Sequence, residues 1–127
     1  PVTSIYMDGG TINASGSSHL GFGAYTSINL NNGASVLGNW QWNGDNRLSF
    51  SSHGDSTNTL GGNVVLRADD GANHTFSVDN GSGATDLLVN ANLADQFPNA
   101  AWWIVPSGLT KSGTGIMVLN GSNTYDG

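Results

Sequence analysis

"SINLNNG", residues 27–33, alternates polar and apolar side chains for five positions and then stops on Asn-Asn-Gly. On an extended chain Ile28 and Leu30 point to one side, with Ser27, Asn29 and Asn31 on the other. Asn and Gly accept the positive φ that a sharp corner demands, so the stretch reads as a short strand closing in a corner. The same pattern recurs in "SIYMDGG" (4–10), "HTFSVDNG" (74–81) and "GIMVLNG" (115–121), and "RLSFS" (47–51) repeats the strand alone. No segment carries a helical period. "ATDLLVNANLADQF" (84–97) comes nearest, but Asn90 and Asn92 weaken it, and strand plus corner is preferred there too.

The interval between these strands decides the architecture. Ile5 to Ile28 is 23 residues, Ile28 to Leu48 is 20, Leu48 to Phe76 is 28, and Phe76 to Ile116 is 40, which fits two steps of 20. A loose period in the twenties, built of strands and polar corners, points to a β-solenoid, in which stacked coils bury what one coil cannot. Asn-rich corners suit stacking, because side-chain amides of successive coils can bond one above another. An antiparallel jelly roll is the competing all-β fold, and "NNG" or "DNG" would serve its hairpins equally well.

Composition narrows the function. The chain has 127 residues, enough for one domain with a modest core. Only 9% of residues are charged, all nine acids are Asp, and three cations leave a net charge of −6. A nucleic-acid partner is disfavoured, since phosphate binding needs a basic face, and so is an anionic membrane surface. The chain contains no cysteine, which rules out disulfides and thiolate metal sites. No signal peptide and no apolar run of membrane-spanning length is present. The expectation is a single module, 1–127, excised from a larger extracellular bacterial protein, secreted or held at the cell surface.

Residues 108–127 read "GLTKSGTGIMVLNGSNTYDG". This resembles the autotransporter-associated β-strand repeat in its Gly-Leu-Thr-Lys start, its Gly-x-Gly turn, its alternating strand and its Gly-x-Asn-Thr-Tyr-x-Gly close. The matching positions are Gly108 to Lys111, Gly113, Gly115, Gly121, Asn123 to Tyr125 and Gly127. The resemblance covers about twenty residues, and it implies a right-handed single-stranded parallel β-helix, of about five to six coils at the observed period. One departure is that Ile116, Met117, Val118 and Leu119 are all apolar. By register Met117 and Leu119 should point inward, leaving Ile116 and Val118 outward.

Catalytic patterns are thin. Asp69-Asp70 is the one adjacent carboxylate pair, and neighbours on a strand face opposite sides, so a solvated corner explains it better than paired acid–base chemistry. His19, His53 and His74 stand apart without zinc-ligand spacing, and nothing marks one serine as a nucleophile. No catalytic residue, resident metal or cofactor is assigned. A structural calcium at the corner "ADDGAN" (68–73) is the one metal alternative.

Tryptophan carries the binding argument. In "GNWQWNGDN" (38–46) Trp40 and Trp42 project to one side of a strand and Gln41 to the other. Asn43, Asp45 and Arg47 supply polar groups nearby. Indole faces take the axial C–H patches of a sugar ring while amides, carboxylates and guanidinium take its hydroxyls. Trp102 and Trp103 are adjacent, so one faces inward and the other outward. Core or end-cap packing competes with a sugar platform for both pairs. Tyr6, Tyr25 and Tyr125 are expected to pack at corners. The leading expectation is a non-catalytic carbohydrate-binding module for a plant cell-wall polysaccharide, preferably xylan, as in β-helical modules attached to xylan-degrading enzymes, which it resembles in kind. Its partners would be the polysaccharide and a tethered glycoside hydrolase domain. The alternative is a structural β-helix segment of an autotransporter-like passenger or adhesin, with no ligand.

Overall fold

The computed structural model describes residues 2–16, 20–42, 49–67, 73–95 and 106–126. Within them lie strands and corners and no helix. The chain climbs through five tiers. The first holds β1 (Val2–Asp8) and β2 (Thr11–Ala14), and the second β3 (Leu20–Asn31) and β4 (Ser35–Trp42). The third holds β5 (Ser49–His53), β6 (Asn58–Leu60) and β7 (Asn63–Leu66), and the fourth β8 (His74–Val78), β9 (Leu87–Val89) and β10 (Asn92–Ala94). The fifth holds β11 (Leu109–Ser112) and β12 (Met117–Leu119).

Every strand pairing among the described residues is parallel. The hairpin-built jelly roll is thereby excluded, and 84–95 is strand and corner, not helix. The pairings form three faces in two sheets. Face one stacks β1, the end of β3, β5, β8 and β11. Face two stacks β2, the start of β4, β6, β9 and β12, and makes up the second sheet. Face three stacks the start of β3, the end of β4, β7 and β10.

Stacking turns the alternation of each strand into columns. On face one the inward column runs Ile5, Ile28, Phe50, Phe76, Lys111. Ile28, Phe50 and Phe76 are wholly buried, and the two rings pack 4.9 Å apart, tilted by 31°. On face two the column is Ile12, Val36, Leu60, Val89, Leu119, with the middle three fully buried. On face three Trp40 lies between Leu20 and Val64 in register, with Leu93 beyond. Each large side chain removed from water in this way contributes roughly 1.5–3 kcal/mol.

Faces two and three meet at a column of small residues. Gly38 has φ +107, and a Cβ there would lie 2.3 Å from the carbonyl oxygen of Ala14. Gly62, one tier on, has φ +90, and its Cβ would lie 1.9 Å from the carbonyl oxygen of Gly38. Backbone rests on backbone at this corner, so the chain bends without opening the stack.

The tier register differs from the spacing argument in two places. Phe50, not Leu48, is the partner of Ile28. β11 pairs directly with β8, so the 40-residue interval to Ile116 contains no extra tier and Lys111 lies beneath Phe76. Within β12 the expected alternation holds: Met117 and Leu119 follow the buried Leu87 and Val89, while Val118 follows Leu88.

Candidate functional site

The tryptophan patch divides. Trp40 is 1% exposed, and its indole Nε1 donates to the Leu37 carbonyl at 2.9 Å. It therefore takes the core alternative and offers no face to a sugar. The reason is register, since position 40 continues the inward column of Val64 and Leu93. Gln41 lies on the opposite side, half-buried. Trp42 ends β4 beside Leu66, and its side chain lies outside the described residues, as do Asn43, Asp45, Arg47, Trp102 and Trp103. The Asp69-Asp70 pair and most of the corner proposed for calcium fall there as well.

A different surface is displayed in full. The outward side of face one carries two parallel columns. One is Ser4, Ser27, Ser49, Thr75, Thr110, and the other is Tyr6, Asn29, Ser51, Ser77, Ser112. None of these ten side chains is a carboxylate or a cation. Tyr6 stands at one end and is 71% exposed, against the expectation that it packs at a corner. Ser51 Oγ donates to Asn29 Oδ1 at 2.6 Å, which fixes two neighbouring members of the second column. The strands sit about 4.8 Å apart, so hydroxyls and amides repeat at that spacing along the stack. The signal for this face was in the sequence, as the polar members of "SIYMD", "SINLN" and "HTFSV", but it reads as solvent-facing filler until the tiers are aligned.

Face three carries an outward amide ladder. Asn63 Nδ2 donates to Asn39 Oδ1 at 2.9 Å, Asn92 Nδ2 to Asn63 Oδ1 at 3.1 Å, and the Ser122 backbone N–H to Asn92 Oδ1 at 2.9 Å. The corners ahead of face two are held by buried polar groups. Asn58 Oδ1 accepts the N–H groups of Gly33 and Ala34, while its Nδ2 donates to Ser52 Oγ and to the carbonyls of Leu30 and His53. Asp86 accepts the N–H of Ile116 on one oxygen and of Gly81 on the other, each at 2.7 Å, and these bonds hold its carboxyl below the ordinary aspartate range. Asp95 behaves oppositely. Burial raises it, although it accepts the N–H groups of Asp126 and Ser107.

His53 Nδ1 lies 2.6 Å from Asp79 Oδ2 on an exposed corner, and His74 is buried in face one. Among the described residues no three His, Cys, Asp or Glu side chains gather where a metal ion could be held. No helix of the described residues is long and apolar enough to cross a membrane. Among the described residues the buried Ser52, Asn58, Asp86 and Ser107 side chains serve backbone N–H and carbonyl groups across tiers. No known protein family, curated protein or solved structure matches this chain.

Proposed function

We propose that the chain is a structural segment of a right-handed parallel β-helix, whose role is to extend an extracellular bacterial protein as a rigid stack. The observation that carries this reading is Trp40 at 1% exposure within an unbroken inward column. A spacer spends its aromatic side chains on cohesion, and that is where the described indole goes. The resemblance of 108–127 to the autotransporter-associated repeat agrees with it. The test is acrylamide quenching of tryptophan fluorescence combined with affinity electrophoresis on soluble xylan, β-glucan and pectin. A spacer shows shielded indoles and unchanged mobility in every gel. Retardation by any one polysaccharide would reject it.

Carbohydrate binding without catalysis is the second reading, and the exposed Tyr6 favours it. An aromatic ring beside uncharged columns of Ser, Thr and Asn is chemistry suited to a neutral, hydroxyl-rich chain such as xylan. Trp42, Trp102, Trp103, Asn43, Asp45 and Arg47 are the other candidates for contact with the sugar, and a tethered glycoside hydrolase domain would benefit from the raised local substrate concentration. Such binding would be modest and nearly independent of salt, since no ion pairs form. Retardation of the wild type that disappears in Tyr6→Ala would place the sugar on face one. Retardation unchanged in that variant would move it to the tryptophans beyond position 40.

A further inference from the structure

We propose that Asn32 and Asn80 are latent deamidation sites, kept in the amide form by Asn58 and Asp86, whose side chains hold the backbone N–H groups that would attack them. Asn-Gly is the pair in which an asparagine amide is most readily lost, because glycine has no Cβ to stop its nitrogen folding back onto the preceding side chain. The chain holds four such pairs. Asn32-Gly33 and Asn80-Gly81 both lie on corners leading from face one into face two, and both asparagines are exposed. Asn120-Gly121 lies on a different corner, after β12, and Asn43-Gly44 lies outside the described residues.

The reaction needs only water. The glycine nitrogen gives up its proton and attacks the asparagine Cγ. An N–Cγ bond forms and closes a succinimide ring, the Cγ–Nδ2 bond breaks, and the amide leaves as ammonia with the displaced proton. Water then opens the ring at either carbonyl to give aspartate or isoaspartate, so water is consumed and ammonia released in equal amounts. At Asn32 the product would damage the corner. Asn32 Nδ2 donates to Asp8 Oδ1 at 2.6 Å, and a carboxylate in its place would face the carboxylate of Asp8. Isoaspartate would lengthen the backbone at a residue whose φ is already +53, just ahead of the register of β4.

In both corners the attacking nitrogen is held. The Gly33 N–H donates to Asn58 Oδ1 at 3.0 Å, and the Gly81 N–H donates to Asp86 Oδ1 at 2.7 Å. Both acceptors are buried. Asn58 reaches Gly33 from the start of β6 in the next tier and is fixed through its Nδ2, while Asp86 lies in the same tier as Gly81 and is fixed by the Ile116 N–H. An oxygen opposite the N–H makes its proton harder to remove, since the amide anion would face a lone pair, and at Asp86 a carboxylate held ionised. The bond also fixes the peptide plane, whose rotation about the asparagine Cα–C bond brings nitrogen to Cγ. Asn58 Oδ1 takes the Ala34 N–H as well, at 2.9 Å, so two successive peptides are anchored there. The first-tier corner follows the same rule with Asp8-Gly9, whose glycine N–H donates to the Asn31 carbonyl at 2.8 Å.

The test incubates the folded chain at mildly alkaline pH and locates the asparagine-to-aspartate mass change by peptide mapping. The same chain in denaturing urea gives the unguarded rate. In the folded wild type, Asn32 and Asn80 should both react at least about tenfold more slowly than in urea. Asn58→Ala should speed the loss at Asn32 by about tenfold, the factor one lost hydrogen bond permits, and leave Asn80 nearly unchanged. Asp86→Ala should do the reverse. Asn58→Asp separates guarding from stability, because it lacks the amide donors but keeps an oxygen opposite the Gly33 N–H, so Asn32 should stay protected in it. Circular dichroism certifies folding of each variant, and where Asn58→Ala does not fold, the rates at Asn80 and Asn32 in Asp86→Ala decide. Equal acceleration at both sites in either alanine variant overturns the proposal, since general unfolding would then set the rate. Loss at Asn32 as fast in Asn58→Asp as in Asn58→Ala overturns it too, and so does a folded wild-type rate equal to that in urea.

Discussion

Asn58 and Asp86 each close the corner that precedes face two, in the third and fourth tiers, and their different chemistry follows from what converges on them. Two N–H groups and three acceptors surround Asn58, so only an amide satisfies the site. Asn58→Ala should therefore cost about 2–4 kcal/mol in urea unfolding. Asn58→Asp should cost at least as much, because a carboxylate would face two carbonyl oxygens. Around Asp86 two N–H groups arrive on separate oxygens, and an amide there would oppose one N–H with another. The folded-state value of Asp86 lies below that of the unfolded chain, so its contribution is present above the ordinary aspartate range and is lost as pH falls through the lowered value. Asp95, raised by burial, opposes folding once pH rises through its range. Acid titration of stability should accordingly lose its steep lowest limb in Asp86→Ala, whereas Asp95→Asn should remove a decline that sets in at higher pH. Neither role was legible from the sequence, where Asn58 and Asp86 are two polar residues among many. Trp40 was legible by half: alternation places it with Trp42 on one side of the strand, but which side is inward depends on partners 20 and 24 residues away.

Strands and corners were the readable part at the scale of elements, because period-two alternation ended by Asn-Gly or Asp-Gly is a local signal. Register was not. Alternation tells which side chains share a face and leaves open which residue in the next tier lies opposite. The corners also differ in length, residues 54–57 in the third tier against 79–86 in the fourth. Leu48 and Ile116 were thus plausible column members, and Phe50 and Lys111 are the real ones. The bend between faces two and three shows how little freedom the register leaves once set. A methyl at Gly38 or Gly62 would meet backbone at 2.3 or 1.9 Å, on a positive φ. Gly38→Ala and Gly62→Ala should each destabilise by about 3 kcal/mol or more, combining clash with the left-handed penalty. Gly10 provides the control. Its φ is +77, but a Cβ there meets nothing within 4 Å, so Gly10→Ala should cost only about 1 kcal/mol. Phe50→Ala, which empties the stacked pair with Phe76, belongs with cavity-forming changes at about 3–5 kcal/mol.

A stack of tiers is held together almost wholly by contacts between neighbours, so stability in the whole molecule is distributed along one dimension. The middle tiers bury their inward columns on both sides: Ile28, Val36, Phe50, Leu60, Phe76 and Val89 are fully buried. The terminal tiers close theirs on one side only, leaving Ile12 and Leu119 part-exposed and Lys111 where an apolar residue stands elsewhere. Local opening should therefore begin at both ends and stop at the second and fourth tiers. Native-state hydrogen exchange reads this directly. Amides of β5, β6 and β7 should exchange at or near the free energy of global unfolding, those of β3, β4, β8 and β9 somewhat faster, and those of β2 and β12 fastest. The buried Asn58 and Asp86 corners tie the second, third, fourth and fifth tiers to one another, whereas among the described residues the first tier is joined to the second by exposed side-chain bonds, Asn32 to Asp8 and Asn39 to the Gly16 carbonyl. The gradient should consequently be steeper on the β2 side than on the β12 side. Uniform protection across all five tiers would show a single cooperative unit instead, and the neighbour-by-neighbour description of this stack would fail.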